Sequence, residues 1–226
     1  MNENKKRRMN LFELLDFAGT MIILNMLFII FSIPIVTIGS AYNALYTAGR
    51  AIVKDEPAIR TFLKTFFKDF GKPTLFWVVL LPLNAALIFS TISIYYYQKD
   101  GYLPVLIVSA IATVITLGIT SMGLLFNTFF DCPAKSLFKN AVLVYAANPF
   151  RGFLIGLISW LPIHLYIVLP WSFFEFIMIW FFAYFSVAIM LCFSLIKKPF
   201  DRLQKQFEAI LEESENAENA PEAISE

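Results

Sequence analysis

Five stretches of the chain are long and almost wholly apolar, at about 17–36, 74–97, 104–130, 152–170 and 173–196. Each is close to the roughly 20 residues that a helix needs to cross a bilayer. A sixth stretch, 37–53, is weaker, although it carries no charge before Arg50. Ser40, Ala44 and Ala48 recur every four residues in it and form a stripe of small side chains. Such stripes let helices approach closely in lipid, where packing rather than hydrophobicity drives association. A helix covered by its neighbours tolerates Tyr42, Asn43 and Tyr46. The pattern predicts a sixth span, with a re-entrant segment as its rival, since non-helical backbone at depth must be covered by protein. The first apolar run also has the basic flank of a secretory leader. It is long for one, and Glu13 and Asp16 intervene, so it reads as a retained span.

Each even-numbered span is followed by a proline: Pro57, Pro133 and Pro199. Proline suits the first turn of a helix, where its missing N–H costs nothing. A short helical pattern follows each one, over about 57–70, 134–146 and 199–213. In the first, Ile59, Phe62, Leu63, Phe66, Phe67 and Phe70 share one face, and Arg60, Lys64 and Lys68 share the other. Basic amphipathic helices of this kind lie on anionic membrane surfaces. The same spacing also serves a helix that docks on a cytoplasmic partner. The chain thus reads as three units, each a transmembrane hairpin followed by an interface helix. Thr37-Ile-Gly39 and Thr116-Leu-Gly118 are shared local text between the first two units.

Composition agrees with this plan. Of the 226 residues, 58% are hydrophobic and 15% charged, against about 25% charged in soluble domains. This excludes a disordered chain and a single soluble domain. Charge then sets the threading. Basic residues flank the cytoplasmic ends of spans. Six spans put 17 of the 18 basic residues on one side, with only Lys99 opposite. Five spans would split them 13 to 5. Six spans with both termini cytoplasmic are expected. Beyond Lys205 all charge is acidic, and 214–226 reads as a solvated, disordered tail attached to a single transmembrane domain over 1–213.

Little in the chain points to chemistry. Proton and ion pathways are normally marked by ionisable residues within spans, and these spans are almost free of them. His164 and Glu175 flank the short turn between the last two spans. They form either a pH-sensitive pair or ordinary neighbours in an aromatic belt with Tyr166 and Trp171. Asn25, Asn43, Asn84 and Asn127 are the polar groups at depth. They suit interhelical hydrogen bonds, or a cavity for a neutral solute. A Ser–His pair would need Ser159 or another membrane serine to face His164, with no third orienting group evident. There is no phosphate loop, no H-E-x-x-H, and no Cys/His set with zinc spacing around Cys132 or Cys192. No catalytic, cofactor-binding or metal-binding residue is expected, and no nucleic-acid partner.

Pro34-Ile-Val-Thr-Ile-Gly39, Ala44-Leu-Tyr46 and the basic Phe-rich helix Phe62–Phe70 together resemble the YesL-like family of bacterial membrane proteins, over about residues 11–205. That family has no established activity. Its genes often lie beside carbohydrate ABC importers. The resemblance implies a protein of the bacterial cell (inner) membrane with an accessory role in sugar acquisition; with the chemistry of the alternatives missing, a non-enzymatic accessory or regulatory component is expected, with transport-complex subunits as partners. A small transporter or channel for a neutral solute is the alternative, and an intramembrane enzyme comes third. The fold expected is all-α.

Overall fold

The computed structural model describes residues 11–97 and 103–218. Its main helices are α1 (Leu11–Ser32), α2 (Ile38–Val53), α3 (Ala58–Lys68), α4 (Gly71–Tyr97) and α5 (Leu103–Asn127). They are followed by α6 (Ala134–Ala147), α7 (Pro149–Ser159), α8 (Leu161–Val168), α9 (Pro170–Glu175) and α10 (Ile177–Ile179). A π turn at Trp180–Tyr184 leads into α11 (Phe185–Glu218). No strand occurs among the described residues, so the all-α expectation holds. Four helical runs are long and apolar enough to cross a membrane: α1, α4, α5 and Ile177–Gln206. The pair α6–α7, bent by 111°, brings the number to five if it counts as one span.

The weakest apolar stretch forms the centre. Eleven residues of α2 are buried, Ser40, Ala44 and Ala48 among them, against five in the longer α4. α2 packs on α1, α3, α4, α5 and α11. Protein, not lipid, covers it, which is why its polar side chains are tolerated there.

Contacts define two ends of the bundle. At one, Lys72 pairs with Asp131 at 2.5 Å, and Arg50 Nη1 donates to the Thr128 carbonyl at 2.6 Å. Arg60, Lys64 and Lys68 belong to the same region, which we call the basic end. At the other end, Tyr95 Oη donates to the Val168 carbonyl at 3.1 Å. The junction of α1 and α2 lies toward the basic end. Trp77 Nε1 donates to the Ile35 carbonyl at 2.8 Å, and Ser40 Oγ donates to the Phe70 carbonyl at 2.7 Å. Phe31 packs on Phe66 at 4.4 Å. The chain therefore leaves Ile35, runs out along α2, returns along α3, and is beside Ser40 again when α4 begins.

The turn of this hairpin is legible in physical terms. Asp55 N–H donates to the Ile52 carbonyl and Glu56 N–H to the Ala51 carbonyl, with Asp55 at φ 57°. That is the Schellman stop, and Asp is among the few side chains that tolerate the left-handed conformation. Pro57 then prevents the helix from continuing and leads into α3. The apolar face of α3 turns inward: Phe62 is fully buried and Phe66 nearly so, while Phe67 remains 68% exposed.

Several sequence expectations are corrected. The three-hairpin plan puts residues 37 and 72 at opposite faces, whereas here 35–40 and 70–77 touch. The helix at 57–70 packs Phe62 and Phe66 on Phe31 and on each other, so that part of its apolar face is covered by protein, while Phe67 and Phe70 stay exposed; Lys64 and Lys68 stay on the outer side. The stretch 152–170 is not one helix. It breaks at Trp160 (φ −116°, ψ 18°), two residues before Pro162, whose missing N–H cannot bond the Ile158 carbonyl and whose ring suits the first turn of a new helix. The expected break before 199–213 is absent: α11 runs through Pro199. Phe200, fully buried against Phe126, Phe129 and Phe130, holds it on course. Residues 214–218, read as disordered tail, continue this helix. Lys5–Arg8, Lys99 and 219–226 lie outside the described residues.

The direction of α1 follows from α11. Asn25 faces residues 180–186, while Phe193 and Phe200, further along α11, pack on Phe129 at 5.7 and 4.9 Å. α1 thus approaches the basic end with its C-terminus.

Candidate functional site

The polar groups at depth fall into separate small sets. Asn25 makes the most complete one. Its Nδ2 donates to the carbonyls of Trp180 (3.0 Å) and Phe181 (2.6 Å), and its Oδ1 accepts from the N–H groups of Phe185 (2.7 Å) and Ser186 (3.2 Å). A π turn opens the helical ladder and frees backbone groups. In an apolar surrounding each such group is costly unless paired. One buried amide from α1 bridges four of them.

A second set joins α2 to α7 and α11. Tyr42 Oη donates to the Ser159 carbonyl at 2.7 Å, and Tyr46 Oη is 3.0 Å from Ser159 Oγ. Ser159 Oγ lies 3.5 Å from Cys192 Sγ. Trp160 Nε1 donates to Ser121 Oγ at 3.0 Å. Beside this set the rings are in contact: Trp77 stacks on Trp160 at 5.3 Å, Tyr42 lies tilted against Trp160 at 5.0 Å and Phe28 meets Tyr42 edge-on at 4.7 Å. Sequence reasoning named Tyr46 only as a polar side chain tolerated in a covered helix, and did not single out Trp160 or Trp77. Pro162 was the available signal for the helix break that turns Trp160 inward.

The other expected positions are dispersed. Asn127 Nδ2 donates to Asn43 Oδ1 at 2.9 Å, joining α5 to α2. Asn84 Nδ2 donates to Thr120 Oγ1 at 3.2 Å, joining α4 to α5. The structure does not gather these asparagines around one cavity. Asn127 lines an open basin of about 500 Å³ at the basic end with Lys68, Asp69, Lys72, Thr128 and Asp131. Beside Lys72, the Asp131 carboxyl is held below its ordinary 3.8, first by the hydrogen bond and then by the charge of that ammonium. Cys132 next to it is pushed up by partial burial.

His164 and Ser159 do not form a catalytic pair. His164 Nδ1 donates to the carbonyl of Trp160 on its own turn at 2.8 Å, and Ser159 Oγ is engaged by Tyr46 and Cys192. His164 Nε2 is buried without a partner. Glu175 is exposed and the structure places no bond between it and His164. Among the described residues no His, Cys, Asp or Glu cluster could hold a metal.

A lateral groove lies between α1, α8 and the π turn. Two adjoining hollows of about 160 and 380 Å³ share Phe28, Ser32, Pro162 and Phe185. Apart from Ser159 in the smaller hollow, their walls are otherwise apolar or aromatic.

These features describe a helical membrane protein with a packed aromatic centre and no assembled reaction centre among the described residues. Residues 21–91 match a family described as a protein of unknown function, DUF624. That stretch runs from within α1 through the α2–α3 hairpin to Thr91 of α4, and contains all the text that carries the YesL-like resemblance. No curated protein and no solved structure matches the chain.

Proposed function

We propose that the protein is a non-enzymatic, multi-pass accessory or regulatory component of a membrane complex, docking through its basic end. The observation that carries this reading is the filling of the centre. Where a solute path would run, Trp77 stacks on Trp160, Tyr42 packs tilted against Trp160 and Phe28 meets Tyr42 edge-on. Docking features stand at the basic end instead: the exposed Arg60, Lys64 and Lys68 ridge of α3, and an α11 that continues 18 residues past Phe200. The resemblance to YesL-like proteins points to a carbohydrate importer as the partner.

For the threading, the reading that fits the contacts is odd-numbered. α1, α4, α5, the α6–α8 run and the α10–α11 run cross, and the α2–α3 hairpin enters from and returns toward the basic end. Positive charge assigns that end to the cytoplasm. This replaces the six-span threading, and it puts the two termini on opposite sides of a bacterial inner membrane.

Cross-linked capture from native membranes tests the function, with the full chain compared with one carrying Arg60→Glu, Lys64→Glu and Lys68→Glu and one cut after Glu213. Importer subunits recovered with the full chain and lost with either variant are the expected result. Recovery of the protein alone would overturn it and favour a self-contained transporter.

A further inference from the structure

The lateral groove has a chemistry that selects its occupant. Its rim residues Ile33, Ile177 and Phe181 are 75%, 46% and 46% exposed, continuous with the exposed Ile22, Ile23 and Ile30 of α1. An occupant therefore arrives sideways, from the bilayer. The walls (Phe28, Ile29, Pro162, Phe185) accept a hydrocarbon chain. The π turn beside them is pinned by Asn25, so that wall is rigid. One polar atom faces both hollows: Ser32 Oγ, buried and without a hydrogen-bond partner. A hydroxyl so placed is costly until it is bonded.

Depth identifies the bond. Phe31, the preceding residue, packs on Phe66 and Phe67 of α3, whose other face carries Arg60, Lys64 and Lys68. Ser32 is thus near the level at which cationic side chains meet headgroups. From there the groove runs toward Trp180 and Ile177, away from the basic end. At that boundary a phospholipid presents its ester carbonyls, which are acceptors, and its chains point inward.

We propose that the groove between α1, α8 and the π turn holds one acyl chain of a bilayer phospholipid, with Ser32 Oγ donating to that lipid's ester carbonyl. The occupant is a lipid component of the protein, independent of the docking function proposed above.

The test uses the full chain purified in mild detergent and titrated with two phosphatidylethanolamines of equal chain length, one ester-linked and one ether-linked, with bound lipid counted by native mass spectrometry. The wild type should retain one ester lipid roughly threefold to tenfold more tightly than the ether lipid, the worth of one hydrogen bond. Ser32→Ala should abolish that preference and still bind both. Ile29→Trp and, from the other end of the groove, Ile177→Trp should lose both lipids. Thermal unfolding and monodispersity verify folding, and either tryptophan variant suffices if the other misfolds. Equal retention of the two lipids by the wild type overturns the proposal. So does full retention by a folded tryptophan variant, or self-cross-linking of Ile33→Cys in native membranes, which would assign the groove to a second copy.

Discussion

The segments α2–α3–α4 and α5–α6–α7 follow the same path with different outcomes. Each has a Thr-x-Gly step, leading into the first helix at α2 and within it at α5; each then turns through a loop ending in proline, returns along a short antiparallel helix, and bends into a third helix that crosses the first at the glycine. A Cβ on Gly39 would lie 2.4 Å from the Pro73 carbonyl, and one on Gly118 would lie 2.6 Å from the Gly152 carbonyl. The third legs differ. α4 continues for 27 residues, whereas α7 ends after 11 at Trp160. In the second unit Asn148 precedes Pro149 and takes φ −139°, ψ 58°, as residues before proline are driven to do, and α7 leaves α6 at 111°. In the first unit the chain passes through Asp69 (φ −107°, ψ 32°) to Gly71 and so into α4. One plan therefore produces a long helix in one place and a broken one in the other, and the broken one supplies Ser159 and Trp160 to the centre.

The largest effects should come from the shared crossing. Gly39→Leu and Gly118→Leu oppose backbone, which cannot yield as a flexible side chain can, and should abolish the folded monomer on size exclusion. Gly19→Ala is the control, since nothing lies within 4 Å of its Cβ position; it should be neutral or stabilising by up to ~1 kcal/mol. A tolerated Gly118→Leu with a lost Gly39→Leu would break the likeness of the two units.

Next comes the returning helix. Phe62→Ala should cost about 3–5 kcal/mol, as for a fully buried phenylalanine, while Phe67→Ala, on the exposed side, should stay within about 0.5–1 kcal/mol. Equal effects in detergent melts would mean that α3 rests on lipid rather than on α1 and α2.

Asn25→Ala removes the bridge across the π turn. Unpaired buried backbone groups cost about 1–3 kcal/mol each, partly relieved if the turn rewinds to an α-helix. Faster hydrogen exchange at Phe185 and Ser186 should report the loss, and unchanged protection there would count against the bridge.

The smallest effect belongs to the exposed Lys72–Asp131 pair. Lys72→Ala should change stability by less than about 1 kcal/mol. The Asp131 carboxyl is depressed in the folded state, so its contribution is present above its ordinary 3.8 and fades as pH falls through the lowered value. Lys72→Ala should flatten that acid limb of the stability profile.

Much of the architecture was legible. α3 and α6 begin just after Pro57 and Pro133, because proline fixes where a helix starts, and α4 and α5 end within a few residues of their apolar runs. The placement of α3 was not legible. A face bearing Phe62 and Phe66 is the same pattern whether it meets lipid or Phe31, and only long-range contact distinguishes the two. Counting positive charge favours six crossings because it treats α2 as a span; four or five helical runs are long and apolar enough to cross, and α2, buried against five other helices, is not among them. The polar positions fared similarly. Periodicity locates Asn25, Asn43, Asn84 and Asn127 at depth, but their partners are backbone groups at a π turn, another asparagine and a threonine, all distant in sequence.

The adjacency of the α2 N-terminus and the α4 N-terminus is the centre of the account. Ser40 Oγ and Thr74 Oγ1 are 2.6 Å apart, so cysteines at both positions have side chains close enough to bridge. The decisive measurement is oxidation of Ser40→Cys/Thr74→Cys in native membranes, with Cys132→Ser and Cys192→Ala as background. A rapid intramolecular disulfide is predicted. Failure to form it, with the two cysteines labelled only from opposite sides of the membrane, would contradict the hairpin and restore the outward-to-inward span.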